Sequence, residues 1–170
     1  IAAIVQKRYH LSVVKATTTN EIILYANDIF RLINAAYNGL YGMVALNEKQ
    51  IGYNTKKYLS FIRPDFVSLV LDKNGELAAL GITMPSLSHA LQKASGKLYP
   101  FGFIHLLKAL KKNNLADLAL VAVRKDQQGK GVNAILMNEL TRSYIKNGIQ
   151  YAESNPELEE NTKVQSIWQY

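Results

Sequence analysis

The chain has no cysteine, which removes disulfide scaffolds, thiolate metal sites and cysteine nucleophiles from consideration. Histidine is scarce: His10, His89 and His105 are scattered and form no spaced ligand pair, so no metal is expected. No apolar run approaches the length of a membrane span, and no signal peptide is visible. A Ser-centred nucleophile elbow, a Walker loop and a zincin motif are all missing, as are repeats and low-complexity tracts. What remains is an ordinary globular composition, 48% hydrophobic and 19% charged over 170 residues. That length buries about two thirds of the unfolded surface without staples. Residues 1–170 are expected to form one cytoplasmic domain. The net charge of +7 would suit a polyphosphate, a nucleic acid or an anionic surface, and equally suits solvated helix faces. DNA is not an expected partner, and oligomeric state has no signature here.

In chain order, Leu11–Ala16 is rich in β-branched residues and reads as a first strand. Thr18 and Glu21 form a capping-box pattern, followed by Ile22, Ala26, Ile29, Phe30, Ile33 and Tyr37 at helical spacing. Tyr37–Gly42 is aromatic and glycine-rich, fit for a cleft rim or a plain surface loop. A second helix is predicted from about Asn47 to Phe61, closed by Arg63-Pro64. Phe66–Leu71 and Glu76–Met84 read as a hairpin around Asp72–Gly75. Pro85 to Asn114 is too long for a structureless loop. It is predicted to hold two helices, Ser86–Ala94, capped by Ser86 or Ser88, and Phe101–Lys112. The second is basic and amphipathic. It is expected to pack its apolar side on its own sheet rather than on a membrane or an acidic partner, so no stable membrane association is expected.

The most informative stretch runs from Leu118 to Leu140. An apolar strand passes through the polar, glycine-punctuated loop Arg124–Gly131 into a helix carrying Val132, Ile135, Leu136, Leu140 and Tyr144 on one side. A strand delivering such a loop onto a helix N-terminus is an anion site, because first-turn amides have no intrahelical partner and the helix dipole is positive there. Gly129-Lys-Gly131-Val-Asn-Ala134 also satisfies a dinucleotide fingerprint, with Glu153 near the ribose-binding position. Against that, Lys125–Gln128 separates the glycines from the strand, and a hairpin precedes the unit rather than alternating strands and helices. Gln150–Ser154 reads as a fifth strand, and Asn161–Tyr170 as a final helix.

Gln128-Gly-Lys-Gly131-Val-Asn133 resembles the acyl-CoA loop of the GCN5-related N-acetyltransferases (GNAT), Gln/Arg-x-x-Gly-x-Gly/Ala. Asn133 departs from it, standing where the family prefers Gly or Ala. The order strand, loop, helix, strand, helix extends the likeness over Leu115 to Tyr170, and the earlier half follows in outline. The resemblance implies the acyl-CoA N-acyltransferase fold, an α/β arrangement with a central, mainly antiparallel twisted sheet flanked by helices. Residues 86–113 would then be a helical insertion between the third and fourth strands. Two C-terminal strands of the family would follow and are not in this sequence.

The resemblance further implies acetyl-CoA as co-substrate and acetyl transfer to a small-molecule or peptide amine. Gln128, Gly129, Lys130, Gly131, Val132 and Asn133 would hold the pyrophosphate; Val121, Ala122 and Val123 would pair with the pantetheine arm. Asn161 would lie against the cofactor, and Glu153 would be the general base. The family's thiol-protonating tyrosine falls on Trp168, which leaves Tyr170, on a different helical face, as the candidate acid. Two other readings stay open: a CoA-binding module with impaired catalysis, motivated by Trp168 and Asn133, and aminoacyl or peptidyl transfer from an RNA-linked donor.

Overall fold

The computed structural model describes residues 1–59, 62–156, 158, 159, 161 and 165. The elements run α1 (Ala2–Tyr9), β1 (Ser12–Val13), α2 (Thr19–Ile23), α3 (Ala26–Tyr37), α4 (Glu48–Tyr58), β2 (Val67–Leu71), β3 (Leu77–Pro85), α5 (Ser88–Lys93), α6 (Gly102–Lys111), β4 (Leu115–Val123), α7 (Val132–Lys146) and β5 (Tyr151–Ser154). The strands form one sheet in sequence order, β1-β2-β3-β4-β5. Every neighbouring pair is antiparallel except β4 and β5, which the α7 crossover makes parallel.

Both faces of the central strands are covered, so β3 reads as a nearly continuous apolar run rather than an alternation. On one face Ile22, Ile29, Phe30, Ile33 and Ile51 pack against Leu69, Leu80, Ile82 and Ala122. On the other, Val132, Ile135 and Leu136 pack with Val5 against Val70, Ala78 and Ala79. Each helix is therefore held by the side chains that made it amphipathic in the sequence.

The single helix expected behind Thr18 is two helices. The capping box forms as predicted, with Thr18 Oγ1 accepting from Glu21 N–H at 3.3 Å, but α2 stops after Ile23. Leu24 is left 82% exposed, and α3 restarts from Ala26. The break lets both Ile22 and the Ala26–Ile29–Phe30–Ile33 stripe reach the sheet. Strand β1 is shorter than expected, with Val14 adding one further bond, its N–H to Leu69 C=O at 2.9 Å.

Helix α1 was not foreseen. Ala2, Val5 and Tyr9 recur at helical spacing and pack beside α7. In the 86–113 segment, α5 begins at Ser88 behind Leu87, whose side chain makes no cap bond, while Ser86 Oγ accepts from Ser88 N–H at 3.4 Å. Helix α6 departs from the expectation that its apolar side packs inward. Only Gly102 is buried on it, and Phe103, Ile104 and Leu107 lie exposed. Arg63 ties this end together, donating to Leu110 C=O at 3.3 Å and to Asn147 Oδ1 at 2.7 Å.

Candidate functional site

Strand β4 pairs with β3 along its length, but with β5 only from Leu115 to Leu118. Its register against β3 shifts between Ile82, opposite Leu120, and Thr83, opposite Leu118, so Ala119 is the extra residue of a β-bulge. The bulge sits where the pairing with β5 ends. From Ala119 to Val123 one edge of β4 has no strand beside it among the described residues.

Hydrogen-bond alternation fixes which backbone groups that edge presents. Arg124 N–H donates to Ala78 C=O at 2.9 Å, so that pair and the pairs Ala122–Leu80 and Leu120–Ile82 bond inward. The N–H and C=O of Val121 and Val123 therefore point outward. Both outward carbonyls already accept side-chain bonds, from the Tyr37 hydroxyl to Val121 at 3.0 Å and from Gln128 Nε2 to Val123 at 3.1 Å. The two N–H groups remain for a ligand with amide acceptors. Ala122, by contrast, is spent on β3. Burial raises the Tyr37 hydroxyl above its ordinary range, with the Val121 bond opposing, so it stays a donor at neutral pH.

Past Val123, Arg124 anchors the loop. Its guanidinium reaches Asp72 at 2.6 Å, Glu76 at 3.2 Å and Asp126 at 2.7 Å, joining the β2–β3 turn to the exit of β4. The bond from Arg124 holds the Asp126 carboxyl down at about 2. Burial works to raise Asp72, but Arg124 and the N–H groups of Asn74 and Glu76 bring it below the usual range.

Gly129 and Gly131 then take positive φ, 75° and 78°, and Gly131 caps α7 in the left-handed region. Among the described residues, the N–H groups of Gly129, Lys130, Gly131, Val132 and Asn133 have no protein acceptor. Successive free amides at a helix start form a concave anion nest. Helix α1 backs it: a Cβ on Gly131 would lie 3.2 Å from Val5 Cγ2, and Lys130 Nζ sits 5.4 Å from the Tyr9 ring centroid. Lys130 also donates to Gln127 Oε1 at 3.4 Å, so it is held at the α1 side of the nest. Asn133 Oδ1 is buried without a partner. One helical turn on, Met137 lines a cleft.

That cleft, about 380 Å³, opens where β4 and β5 part. Its walls are Tyr37 and Leu40–Met43, Leu118, Ala119 and Val121 of β4, Met137, and Ser154, Asn155, Pro156, Leu158 and Asn161. The Tyr37–Gly42 segment is thus a cleft wall. Asn34 pins its far end with two bonds to Leu46, Nδ2 to C=O at 2.8 Å and Oδ1 from N–H at 2.9 Å. Asn155 Nδ2 donates to Leu118 C=O at 3.2 Å, holding the chain beyond β5 against the bulge.

Of the residues expected to bind cofactor, Val121 and Asn161 line the cleft, Val123 and Gln128 meet through the bond from Nε2 to C=O, and Gly129–Asn133 form the nest. Glu153 is exposed on β5 opposite Asp117, and its neighbour Ser154 is the residue that lines the cleft. Successive strand side chains point to opposite faces, so Glu153 stands beside the cleft rather than in its wall. Tyr170 and Trp168 lie outside the described residues. Sequence reasoning placed Tyr37 both on the apolar helix face and at the start of a candidate cleft rim, but not its bond to Val121. It missed the helix behind the nest, although α1 was announced by the spacing of Ala2, Val5 and Tyr9.

No family model matches the chain. Protein YghO of Escherichia coli (strain K12) is 23% identical over 142 residues, 80% of this chain, and the match spans 36% of that protein. Several solved structures share the architecture. An aminoglycoside acetyltransferase from an uncultured soil metagenomic sample, bound to sisomicin, has a TM-score of 0.58 at 12% identity, with 95% of this chain and 87% of that one covered. AAC(6')-Iy, in complex with a CoA bisubstrate analogue, gives 0.55 at 13% identity, covering 94% and 88%. Glucosamine-6-phosphate N-acetyltransferase from Arabidopsis thaliana gives 0.52 at 12%, covering 92% and 88%. Together with the sheet order, the bulged fourth strand and its parting from the fifth, these likenesses establish that the chain has the acyl-CoA N-acyltransferase fold of the GCN5-related N-acetyltransferases.

Proposed function

We propose that the chain binds acetyl-CoA along the open edge of β4 and transfers its acetyl group to an amine. One observation carries the reading: the unpaired edge Ala119–Val123 leads into the amide nest Gly129–Asn133. The two features fit the two chemistries of a CoA molecule. Outward N–H groups of Val121 and Val123 suit an amide-bearing arm added to the sheet like a strand, and the nest suits a pyrophosphate. When bound, acetyl-CoA would supply the activated thioester.

In the transfer, the amine nitrogen bonds to the acyl carbon, the carbon–sulfur bond breaks, and the thiolate leaves with the electron pair. The amine must lose a proton and the thiolate must gain one. The cleft walls would hold acyl group and amine together, with Ala119 at the bulge and Tyr37 above the strand. Glu153 is the carboxylate assigned to the base role, acting through one water. Tyr37 and Asn161 keep hydroxyl and amide groups at the cleft, and Tyr170, two positions after Trp168 in the sequence, is kept as the candidate acid.

A second reading has its own support. Among its described lining residues the cleft has no Asp, Glu, His, Lys or Arg, which favours positioning over proton transfer, or a CoA-binding module without turnover. Calorimetry with acetyl-CoA, CoA and NADH side by side tests the binding, followed by turnover on an amine panel. Binding of NADH alone would return the loop to the dinucleotide reading. Tight CoA binding with no turnover on any amine would select the binding module.

A further inference from the structure

Among the described residues, exposed large apolar side chains are densest on the segment of α5 and α6. Leu91, Leu98, Tyr99, Phe101, Phe103 and Leu107 are exposed together on one segment, Tyr99 at 85%, Phe101 at 69% and Leu107 at 54%. Scattered exposed apolar side chains need no explanation, but a contiguous group marks an interaction surface. The charge of the segment is equally one-sided. From Leu77 through Ala116 the sequence has no Asp or Glu, while Lys93, Lys97, Lys108, Lys111 and Lys112 all lie exposed. None of these lysines pairs with a carboxylate among the described residues.

We propose that the α5–α6 face is a peripheral docking surface for an anionic lipid bilayer. Aromatic and leucine side chains flanked by lysine are the composition that enters the boundary between headgroups and acyl chains, with ammonium groups left at the phosphate level. A second copy of the chain is a poorer occupant, because two such faces would oppose lysine to lysine. An acidic protein would satisfy the lysines but leave Tyr99, Phe101 and Phe103 without matching apolar surface. Docking of this kind needs no spanning segment, and no described helix is long and apolar enough to cross a membrane.

The docking face precedes the start of β4, and the nest follows its end, about 30 Å away for a strand of 9 residues. With β4 between them, the docking face and the nest lie toward opposite ends of that strand. The proposal itself does not depend on the transferase reading.

Co-sedimentation tests it, using vesicles of phosphatidylcholine with an equal part of phosphatidylglycerol, and of phosphatidylcholine alone. The chain is expected to pellet with the mixed vesicles at low salt, to be released by salt, and to stay in solution with phosphatidylcholine alone. Lys108→Glu, Lys111→Glu and Lys112→Glu combined should weaken partition by about a hundredfold. Phe103→Ser with Leu107→Ser should weaken it at every salt concentration. Both sets change exposed side chains, and an unchanged melting temperature confirms that the fold is intact. Lys7→Glu, Lys49→Glu and Lys73→Glu, an equal charge change elsewhere, should leave partition nearly as in the parent. Any of three results overturns the proposal: no pelleting with mixed vesicles, equal loss in the control triple variant, or a dimer in sedimentation velocity that Phe103→Ser with Leu107→Ser converts to monomer.

Discussion

The two ends of β4 are built from similar residues and behave differently. From Leu115 to Leu118 the strand is paired on both sides, with β3 and with β5; from Ala119 to Val123 only β3 is present among the described residues. Both ends are largely apolar, and by propensity the valine-bearing Ala-Leu-Val-Ala-Val is a better strand former than Leu-Ala-Asp-Leu, so propensity would not leave it the unpaired end. What separates them is one inserted residue at the bulge and the end of β5 at Ser154. An exposed strand edge is ordinarily a liability, because it invites pairing with another chain. Here side chains from elsewhere, Tyr37 and Gln128, occupy the outward carbonyls, and the outward N–H groups face the path from nest to cleft. A protected, half-used edge is what an amide-bearing ligand requires.

The sharpest way to break that comparison uses proline at adjacent residues. Ala122→Pro removes a ladder N–H bonded toward β3 and should cost about 2–4 kcal/mol, lowering Tm by about 2–4 °C for each kcal/mol. Val121→Pro removes an outward N–H and should cost far less stability while abolishing CoA binding. Equal destabilisation by the two, measured by thermal melts, would mean that Val121 does not face the open edge.

Glu153→Gln tests whether the paired end contributes chemistry. Because the carboxylate stands beside the cleft, the expected loss in turnover is at the low end of general-base effects, about a hundredfold, with CoA affinity unchanged. Raising the pH should partly rescue the variant by supplying neutral amine. Unchanged turnover would leave positioning as the main catalytic device. Gly131→Val acts on the nest. A β-branched residue at φ 78° is strained by about 1–3 kcal/mol, and its Cβ would meet Val5 at 3.2 Å. CoA binding should be lost along with that stability, whereas Gly39→Val, positive in φ with open space around it, should cost stability alone.

A smaller effect is expected from Tyr37→Phe. Losing the bond to Val121 should cost about 0.5–1.5 kcal/mol. CoA affinity should nevertheless rise, because the freed carbonyl becomes an acceptor for a ligand amide. A fall in affinity would show that the tyrosine contacts ligand directly. The smallest effect concerns acid. Asp126 and Asp72 titrate lower in the folded chain than in the unfolded one, so both stabilise it above the ordinary carboxylate range; the Asp126 contribution is lost as pH falls toward about 2, and that of Asp72 is lost in the same direction. Arg124→Gln should flatten that part of the pH–stability profile.

The elements were legible where local chemistry decided them. The Thr18–Glu21 capping box, the Asp72–Gly75 turn and the α7 stripe each rest on residues within a few positions of one another. One local signal, the Ala2–Val5–Tyr9 spacing, announced a helix absent from the expected elements. The loop that makes the nest could be found because glycine at positive φ before an amphipathic helix is itself a local statement.

The sequence alone determined the kinds of elements, their order and the polar loop between β4 and α7, since propensity, capping and hydrophobic spacing act over one or two turns. Only tertiary structure decided that Ala119 bulges, that β5 stops at Ser154 and that Tyr37 reaches Val121 across 84 positions of chain. Those depend on which strand lies beside which and in what register. Register is set by long-range packing of both sheet faces at once, and no window of neighbouring residues contains it.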